Sequence, residues 1–313
     1  MKINMKYKAI LMVLIIPLAF VINLTVFSNV ALASTAPAMN IGLSKNTSIN
    51  WAGYLATNGS YNGIGASWTI PTITGTTGTS ISADDTWVGI GGVNSEDLIQ
   101  AGTQAMNEGN GSINYTAWYE LLPSDMVQVP LVVSPGNSIV VSLIENSSNL
   151  WTINFHNNTT NQSYSTSVNY TSSNASAEWI EEMPTLSSNN SLIPLDNFGS
   201  VQFTGGYVIQ NNNTLNILQS GAESLTMVTS NDQPLAIPSS LDSSGLDFSV
   251  SRTSVAPSTS TSMPSTFSNT HTSWHRTGVG IRNFYGNVKK NSRRNISGSQ
   301  LQHTKNYSRR NNF

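Results

Sequence analysis

The chain has 313 residues, of which 38% are hydrophobic and only 10% are charged, whereas about 25% is usual for a soluble domain. It contains no cysteine, which excludes disulfides, thiolate catalysis and cysteine-ligated zinc. All acids lie between Asp84 and Asp247, and residues 46–251 contain no Lys or Arg. Because carboxyl groups are mostly neutral below about pH 4, this segregation predicts a domain adapted to strongly acidic surroundings.

The N-terminal segment has the pattern of an export signal. Three lysines in the first eight residues precede an apolar run over residues 9–27, and small residues follow at 31–33. We therefore expect a signal peptide at residues 1–33 and a secreted protein. The apolar run approaches membrane-spanning length, so an uncleaved N-terminal anchor is the alternative. N-x-S/T sequons such as that at Asn46 suit an exported glycoprotein.

Residues 34–48 are read as a short linker or pro-segment, and a repeating strand pattern follows over residues 49–253. Short apolar or alternating runs are separated there by Gly, Asn, Ser and Pro, without a convincing long amphipathic helix. This pattern predicts an all-β antiparallel sandwich or barrel. The predicted strands cover residues 65–72, 86–92, 113–123, 138–145, 150–157, 177–182, 200–209, 224–230 and 245–253.

Residues 254–313 have a different composition, rich in Ser, Thr and Pro at first and then basic and rich in Asn. We expect a low-complexity, weakly ordered tail. One hypothesis is that this cationic tail covers the acidic domain near neutral pH and releases it as the acids protonate. Binding to other polyanions and a simple solvated extension are the alternatives.

Several kinds of site are excluded by the residues that the predicted domain lacks. His156 is the only histidine before residue 271, so neither a histidine-rich metal site nor an HExxH motif is present. There is no G-x-S-x-G motif and no glycine-rich phosphate loop. We therefore expect no metal, no cofactor and no nucleic-acid partner, and His156 is read as an ordinary strand residue. The kinds of site that are not excluded are those that use carboxylate and amide side chains.

Three glutamates crowd the predicted strand at residues 177–182, beside a tryptophan. Alternation along a strand puts Glu178 and Glu182 on one face and Trp179 and Glu181 on the other. Glu181 is therefore expected at a strand end or protonated against the sheet. Such crowding of carboxylates is unfavourable at neutral pH, which points to a function in acid.

Six sequence blocks then occur in a recognisable order: NWAGY (50–54), SWTIPT (67–72), TWVGIGG (86–92), LIQAG (98–102), AWYELLP (117–123) and AEWIEE (177–182). Together they resemble the glutamic peptidases, also called eqolisins or family G1, which are secreted acid endopeptidases. The resemblance covers about residues 50–228, at most to 252. It implies a concanavalin A-like (lectin-like) jelly roll, protein or peptide substrates and a monomer.

The resemblance also implies a catalytic pair. In that family a Gln in the block matching LIQAG works with the last Glu of the block matching AEWIEE, which correspond here to Gln100 and Glu182. Glu182 would take a proton from the attacking water and return it to the leaving amine. Gln100 would donate a hydrogen bond to the oxyanion, and its amide stays neutral at low pH.

Other family positions supply substrate-binding candidates. Trp87 and Trp118 correspond to tryptophans that shape the cleft, and Glu120 to a glutamate beside the catalytic Gln. Tyr119 is a further candidate for the pocket wall. Gly91 and Thr116 depart from the family, which commonly has Asp at both positions, and we expect these losses to affect pH dependence or specificity.

Three rival functions fit parts of the pattern. A lectin-like sandwich would bind carbohydrate through its tryptophans, and a cell-surface structural protein would explain the sequons. A glycosidase would need two carboxylates flanking one cleft, for which Glu120 and Glu182 are candidates. Neither a lectin nor a glycosidase gives Gln100 a role.

Overall fold

The computed structural model describes residues 46–74, 80–93, 95–186 and 191–256. The predicted signal peptide at residues 1–33 and nearly all of the basic tail lie outside these ranges. The described residues contain strands and no helix, and hence no helix that could cross a bilayer. The strands are β1 (Asn46–Ser48), β2 (Trp51–Ala56), β3 (Tyr61–Thr69), β4 (Ser82–Gly91), β5 (Leu98–Asn107), β6 (Ile113–Leu121), β7 (Val127–Gln128), β8 (Ser138–Ser147), β9 (Leu150–Asn157), β10 (Gln162–Asn169), β11 (Ala177–Glu182), β12 (Thr185–Leu186), β13 (Ser191–Leu192), β14 (Ser200–Gln210), β15 (Asn213–Asn216), β16 (Glu223–Val228), β17 (Pro234–Pro238) and β18 (Phe248–Arg252).

The fold is an all-β antiparallel sandwich, as the sequence predicts. Each predicted strand is found, with ends that differ by a few residues. The sequence pattern missed the polar strand β10, the short strands, and the strands β2 and β5, whose blocks are rich in Gly and Ala. Small residues weaken a hydrophobic alternation signal, although the strands themselves are fully buried.

One continuous sheet folds over itself to make the two layers. Its strand order is β10-β9-β8-β3-β14-β18-β17-β16-β2-β11-β4-β5-β6-β7. The half that contains β3 and β8 packs over the half that contains β4 and β5. Neighbours on this path pair antiparallel, whereas β1 joins the edge of β16 in parallel.

The main core lies between the layers and is made by alternate residues of the inner strands. Trp68, Phe203 and Phe248 pack there with Trp179 from β11. The indole N–H of Trp179 donates to the backbone oxygen of Gly65 at 3.2 Å, which ties β11 to the opposite layer. Burying several large aromatic side chains stabilises the sandwich without disulfides.

The opposite face of the β2-β11-β4-β5-β6 half carries a second apolar cluster, which we call the tryptophan face. It is built by Trp51, Trp87, Trp118, Ile180 and Leu98 with a few smaller neighbours. Trp51 and Trp87 meet edge to face, with ring centroids 4.9 Å apart. Ile180 lies on this face and Trp179 on the core side, which confirms the alternation predicted for residues 177–182.

Candidate active site

Gln100, Gly89 and Glu178 form one row across three neighbouring strands of the tryptophan face. Gly89 on β4 is paired with Gln100 on β5 on one side and with Glu178 on β11 on the other. Two strand spacings separate the Cα atoms of Gln100 and Glu178 by about 10 Å. The middle residue is glycine, and the side chains of Trp87 and Leu98 lie over it, since a Cβ atom there would be 2.8 Å from Trp87 Cζ3 and 3.0 Å from Leu98 Cδ1.

Gln100 is held in one orientation by a carboxylate neighbour. Its Nε2 donates to Oε2 of Glu120 on β6 at 2.7 Å, and the two residues are paired in the sheet. Its Oε1 is buried and has no hydrogen-bond partner among the described residues. An amide nitrogen has two N–H groups, so one remains able to donate.

Glu178 is completely buried, with the Ser176 side chain as its hydrogen-bonding neighbour. Burial raises the pKa of Glu178 well above its usual value, because the charged form loses its hydration. The hydrogen bond from Ser176 partly offsets this rise in the pKa, and the negative charge of Asp97 adds to it. A carboxyl with this pKa keeps its proton in acid.

Glu182, which the resemblance assigns as the partner of Gln100, lies in a different row. It is paired with Asp85 and Trp51, four residues along β11 from Glu178. Four residues of strand span about 13 Å, in addition to the two strand spacings. Glu182 Oε2 accepts a hydrogen bond from Trp87 Nε1 at 2.7 Å, and Oε1 accepts a longer one from Asn50.

The remaining predicted site residues divide between the two faces of the sheet. Trp87 and Trp118 lie on the tryptophan face, in the row between those of Gln100 and Glu182. Tyr119 points the other way and packs against the main core, so the structure does not bring it to this row. All these residues except Tyr119 are buried, including both tryptophans.

Gly91, where the family commonly has Asp, has no room for a side chain. Its φ is +93°, and a Cβ atom there would lie 2.5 Å from the backbone oxygen of Asp97 and 2.8 Å from Asp97 Oδ2. Asp97 thus occupies the space beside Gly91. The sequence analysis did not single out Asp97, because its neighbours in the sequence give no signal of this contact.

A second group of acids lies on the core side of the same strands. Asp84, Glu181 and Asp196 are all buried there. Thr86 Oγ1 donates to Glu181 at 2.7 Å, and Ser82 Oγ donates to Asp196 at 2.5 Å. Burial raises the pKa of Glu181 to about 7 and that of Asp196 to about 6. The described residues include no group of three or more acids or histidines with the geometry of a metal site.

The all-β antiparallel sandwich and the comparisons with known proteins define the class as a glutamic-type endopeptidase. The model of the Peptidase A4 family matches residues 49–252. The chain therefore belongs to this family, the eqolisins or G1 glutamic peptidases, and the resemblance noted in the sequence is confirmed.

Solved structures of peptidases show the same fold. A scytalido-glutamic peptidase with a transition state analog inhibitor is 25% identical, with a TM-score of 0.56, and the match covers 65% of this chain and 98% of that chain. SCP-B, an eqolisin in a complex with the tripeptide Ala-Ile-His, is also 25% identical, with a TM-score of 0.54 and the same coverage. No curated protein sequence matches the chain significantly.

Proposed function

We propose that this endopeptidase cleaves peptide bonds with Gln100 and Glu182 as the reacting pair, as the resemblance implies. The observation that carries the proposal is that both side chains lie on the tryptophan face, in rows on either side of Trp87, whose indole N–H donates to Glu182. Gln100 Oε1 is also buried without a partner among the described residues. A water molecule bound between the two side chains would lie next to a base and to an amide.

The chemistry follows from these atoms. Glu182, as carboxylate, removes a proton from the water that attacks the scissile carbonyl, and later returns that proton to the leaving amine. The hydrogen bonds from Trp87 and Asn50 orient this carboxylate. The free N–H of Gln100 donates to the oxyanion, while Glu120 holds the other N–H.

Peptide substrates are supported by the relatives, since one of them was solved with a tripeptide and another with a transition state analog. The buried acids support work in acid. The pKa of Glu181 and that of Asp196 are raised, so at neutral pH these carboxyls begin to ionise inside the core, where the charged form is unfavourable. The loss of activity toward neutral pH would report ionisation of the core acids.

The assignment is tested by digesting denatured haemoglobin between pH 2 and pH 7 with three variants. Glu182→Gln and Gln100→Ala should lower kcat by about 10²–10⁴-fold, because each removes one half of the pair. Glu178→Gln is the matched control, since it changes the same residue type on the same strand and face. It should cost tenfold or less; inactivity of Glu178→Gln with an active Glu182→Gln would contradict the assignment.

We also propose that the protein is exported, because residues 1–33 have the order of charged, apolar and small segments typical of a signal peptide. N-terminal sequencing of the protein from culture medium should begin at Ser34. Recovery of the intact N-terminus in the membrane fraction would instead support the anchor.

A further inference from the structure

A second carboxyl lies directly beside Glu182 on the tryptophan face. Asp85 on β4 is paired with Glu182 on β11 in the antiparallel ladder, so both side chains leave the sheet on the same face, and Trp51 is the partner of Glu182 on the other side. Side chains opposite each other in such a pair have Cβ atoms about 4.5–5.5 Å apart. Both acids are buried, and Asp85 has no exposed surface. Two carboxyl groups therefore share one buried position of the site.

The hydrogen-bond donors around the two carboxyls differ in distance. Glu182 Oε2 accepts from the indole N–H of Trp87 at 2.7 Å, and Glu182 Oε1 accepts from Asn50 at 3.5 Å. Asp85 Oδ2 accepts from Nε2 of Gln104, its neighbour on β5, at 3.4 Å. Because hydrogen bonds to a carboxylate favour its charged form, Glu182 is the carboxyl that ionises first, and Asp85 is the one that keeps its proton.

The surrounding sequence supplies no basic side chain that would let both carboxyls ionise together. Residues 46–251 contain no Lys or Arg. Arg252, which follows, donates to backbone oxygens, among them that of Asp196. Two like charges side by side in a buried site disfavour each other, so the second ionisation of the pair requires a higher pH than the first.

We propose that Asp85 is a positioning residue that shares one proton with Glu182: it stays neutral beside the Glu182 carboxylate, and its own ionisation sets the upper pH limit of kcat. The inference rests on the proposed role of Glu182 as the base. Before water attacks, the pair carries one negative charge. Once Glu182 has taken the proton of the water, both carboxyls are protonated, and the single negative charge lies on the oxyanion beside Gln100.

Ionisation of Asp85 changes this charge balance. The pair then keeps one negative charge after Glu182 has taken the proton of the water, and that charge repels the oxyanion. The repulsion is stronger in a buried site than in water. The kcat of the folded enzyme should therefore fall as Asp85 ionises. This fall is distinct from the effect of the core acids, whose ionisation lowers the stability of the fold.

Other ionisable groups face the pair from both sides of the sheet. On the core side, the charges of the pair act on two neighbouring acids, Asp84 and Glu181. On the tryptophan face, further carboxyls of the sheet lie four residues along the strands, in the row of Gly89: Glu178 and Glu120. The core acids are the closer of these groups, so a substitution at a core acid is needed to separate their effect from that of the pair.

Asp85→Asn tests the proposal, because the amide has the shape of a protonated carboxyl and cannot ionise. Its oxygen can accept from Gln104, and its N–H can donate to Glu182. We expect kcat at pH 3 to stay within about threefold of the wild type, while the falling limb of kcat moves to higher pH by about one unit or more. Near-UV circular dichroism identifies the pH range in which each protein is folded. An unmoved limb, or a kcat at pH 3 as low as that of Glu182→Gln, would overturn the proposal.

Asp84→Asn is the matched control. It makes the same change one residue earlier on β4, where Asp84 is also buried but lies on the core side. This variant should raise the stability near neutral pH and leave the falling limb of kcat of the folded enzyme in place. Equal shifts of the limb in Asp84→Asn and Asp85→Asn would show that any nearby lost charge is sufficient, and the specific pairing with Glu182 would be wrong.

A titration without catalysis separates this inference from the proposed function. In carbon-13 NMR, the Asp85 carboxyl should ionise at a pH lower by about one unit or more in Glu182→Gln than in the wild type, because the neighbouring charge is removed. If Glu182→Gln retains full activity while this shift occurs, the proposed function fails and the shared proton stands. If Asp85 ionises at the same pH in both proteins, the shared proton fails whatever the activity. The same titration decides the question should Asp85→Asn not fold.

Discussion

Glu178 and Glu182 show how two identical residues on one face of a strand acquire different chemistry. Glu182 accepts hydrogen bonds from Trp87 and Asn50, which hold it in place. Glu178 is buried beside Gly89, over which the side chains of Trp87 and Leu98 lie, and burial raises its pKa well above the usual value. A carboxyl with such a raised pKa keeps its proton in acid, whereas a general base must ionise there.

Glu120 is expected to act through Gln100. Because Glu120 Oε2 accepts from Gln100 Nε2, Glu120→Ala frees the amide to rotate and should lower kcat about 10- to 100-fold with little change in KM. Steady-state kinetics on a peptide substrate measure kcat and KM separately. Glu108→Ala, which removes an exposed glutamate after β5, should behave as the wild type. Equal losses in both variants would speak against the role of Glu120.

Among the strands, β4 has the central position because it separates β5, which carries Gln100, from β11, which carries Glu182. Its Gly89 lies under the side chains of Trp87 and Leu98, which leave no room for a further side chain. A Cβ atom at Gly89 would lie 2.8 Å from Trp87 Cζ3 and 3.3 Å from Gln100 Cβ. At Gly89 the strand must therefore pair with both neighbouring strands and must also carry no side chain.

Gly89→Ala should consequently impair catalysis more than stability. The methyl group crowds Leu98 and Trp87, whose indole donates to Glu182, so we expect kcat to fall at least tenfold and the free energy of unfolding to fall by about 1–3 kcal/mol. Gly63→Ala on β3 is the matched control, because its Cβ atom would crowd Ile209 at 2.7 Å in the other layer. It should lose similar stability and retain kcat; a parallel loss of kcat would show that crowding alone explains the effect.

For the whole chain, the charge distribution couples stability to pH. Residues 46–251 contain sixteen acids and no Lys or Arg, and several of the acids are buried. Below about pH 3, most of these carboxyls hold their protons in both the folded and the unfolded protein. As the pH rises, the unfolded chain ionises first, so the free energy of unfolding falls until Glu181 and Asp196 ionise in the folded protein near pH 6–7.

Replacing a core acid with its amide should remove part of the decrease in the free energy of unfolding that occurs as the pH rises. Glu181→Gln keeps an acceptor for Thr86 and cannot ionise, so it should raise the free energy of unfolding at pH 8 by up to about 3 kcal/mol. Little change is expected at pH 4. Thermal unfolding at both pH values measures the difference, with exposed Asp232→Asn as the control. A gain of equal size at pH 4 would contradict the ionisation mechanism.

Much of the fold follows from local patterns in the chain. Alternating apolar residues and turn residues predicted the sandwich, and strand alternation assigned Glu181 to the core side and Glu178 to the tryptophan face. The buried, proton-retaining state of Glu181 was one of two expectations, and its raised pKa agrees with that one. The ordered blocks from NWAGY to AEWIEE were sufficient to recognise the family, because each block retains its residues and its order.

The identity of the carboxyl opposite Gln100 depends on the pairing of strands that are far apart in sequence. The two-residue period of a strand shows on which face of β11 each residue lies. It does not show which of two residues on the same face is in register with a given residue of β5. That register is set by packing across β4, and it places Glu178, and not Glu182, in the row of Gln100. Burial, which raises the pKa of the same carboxyl, likewise depends on the assembled sheet, because solvation is a property of the surroundings and not of the residue type.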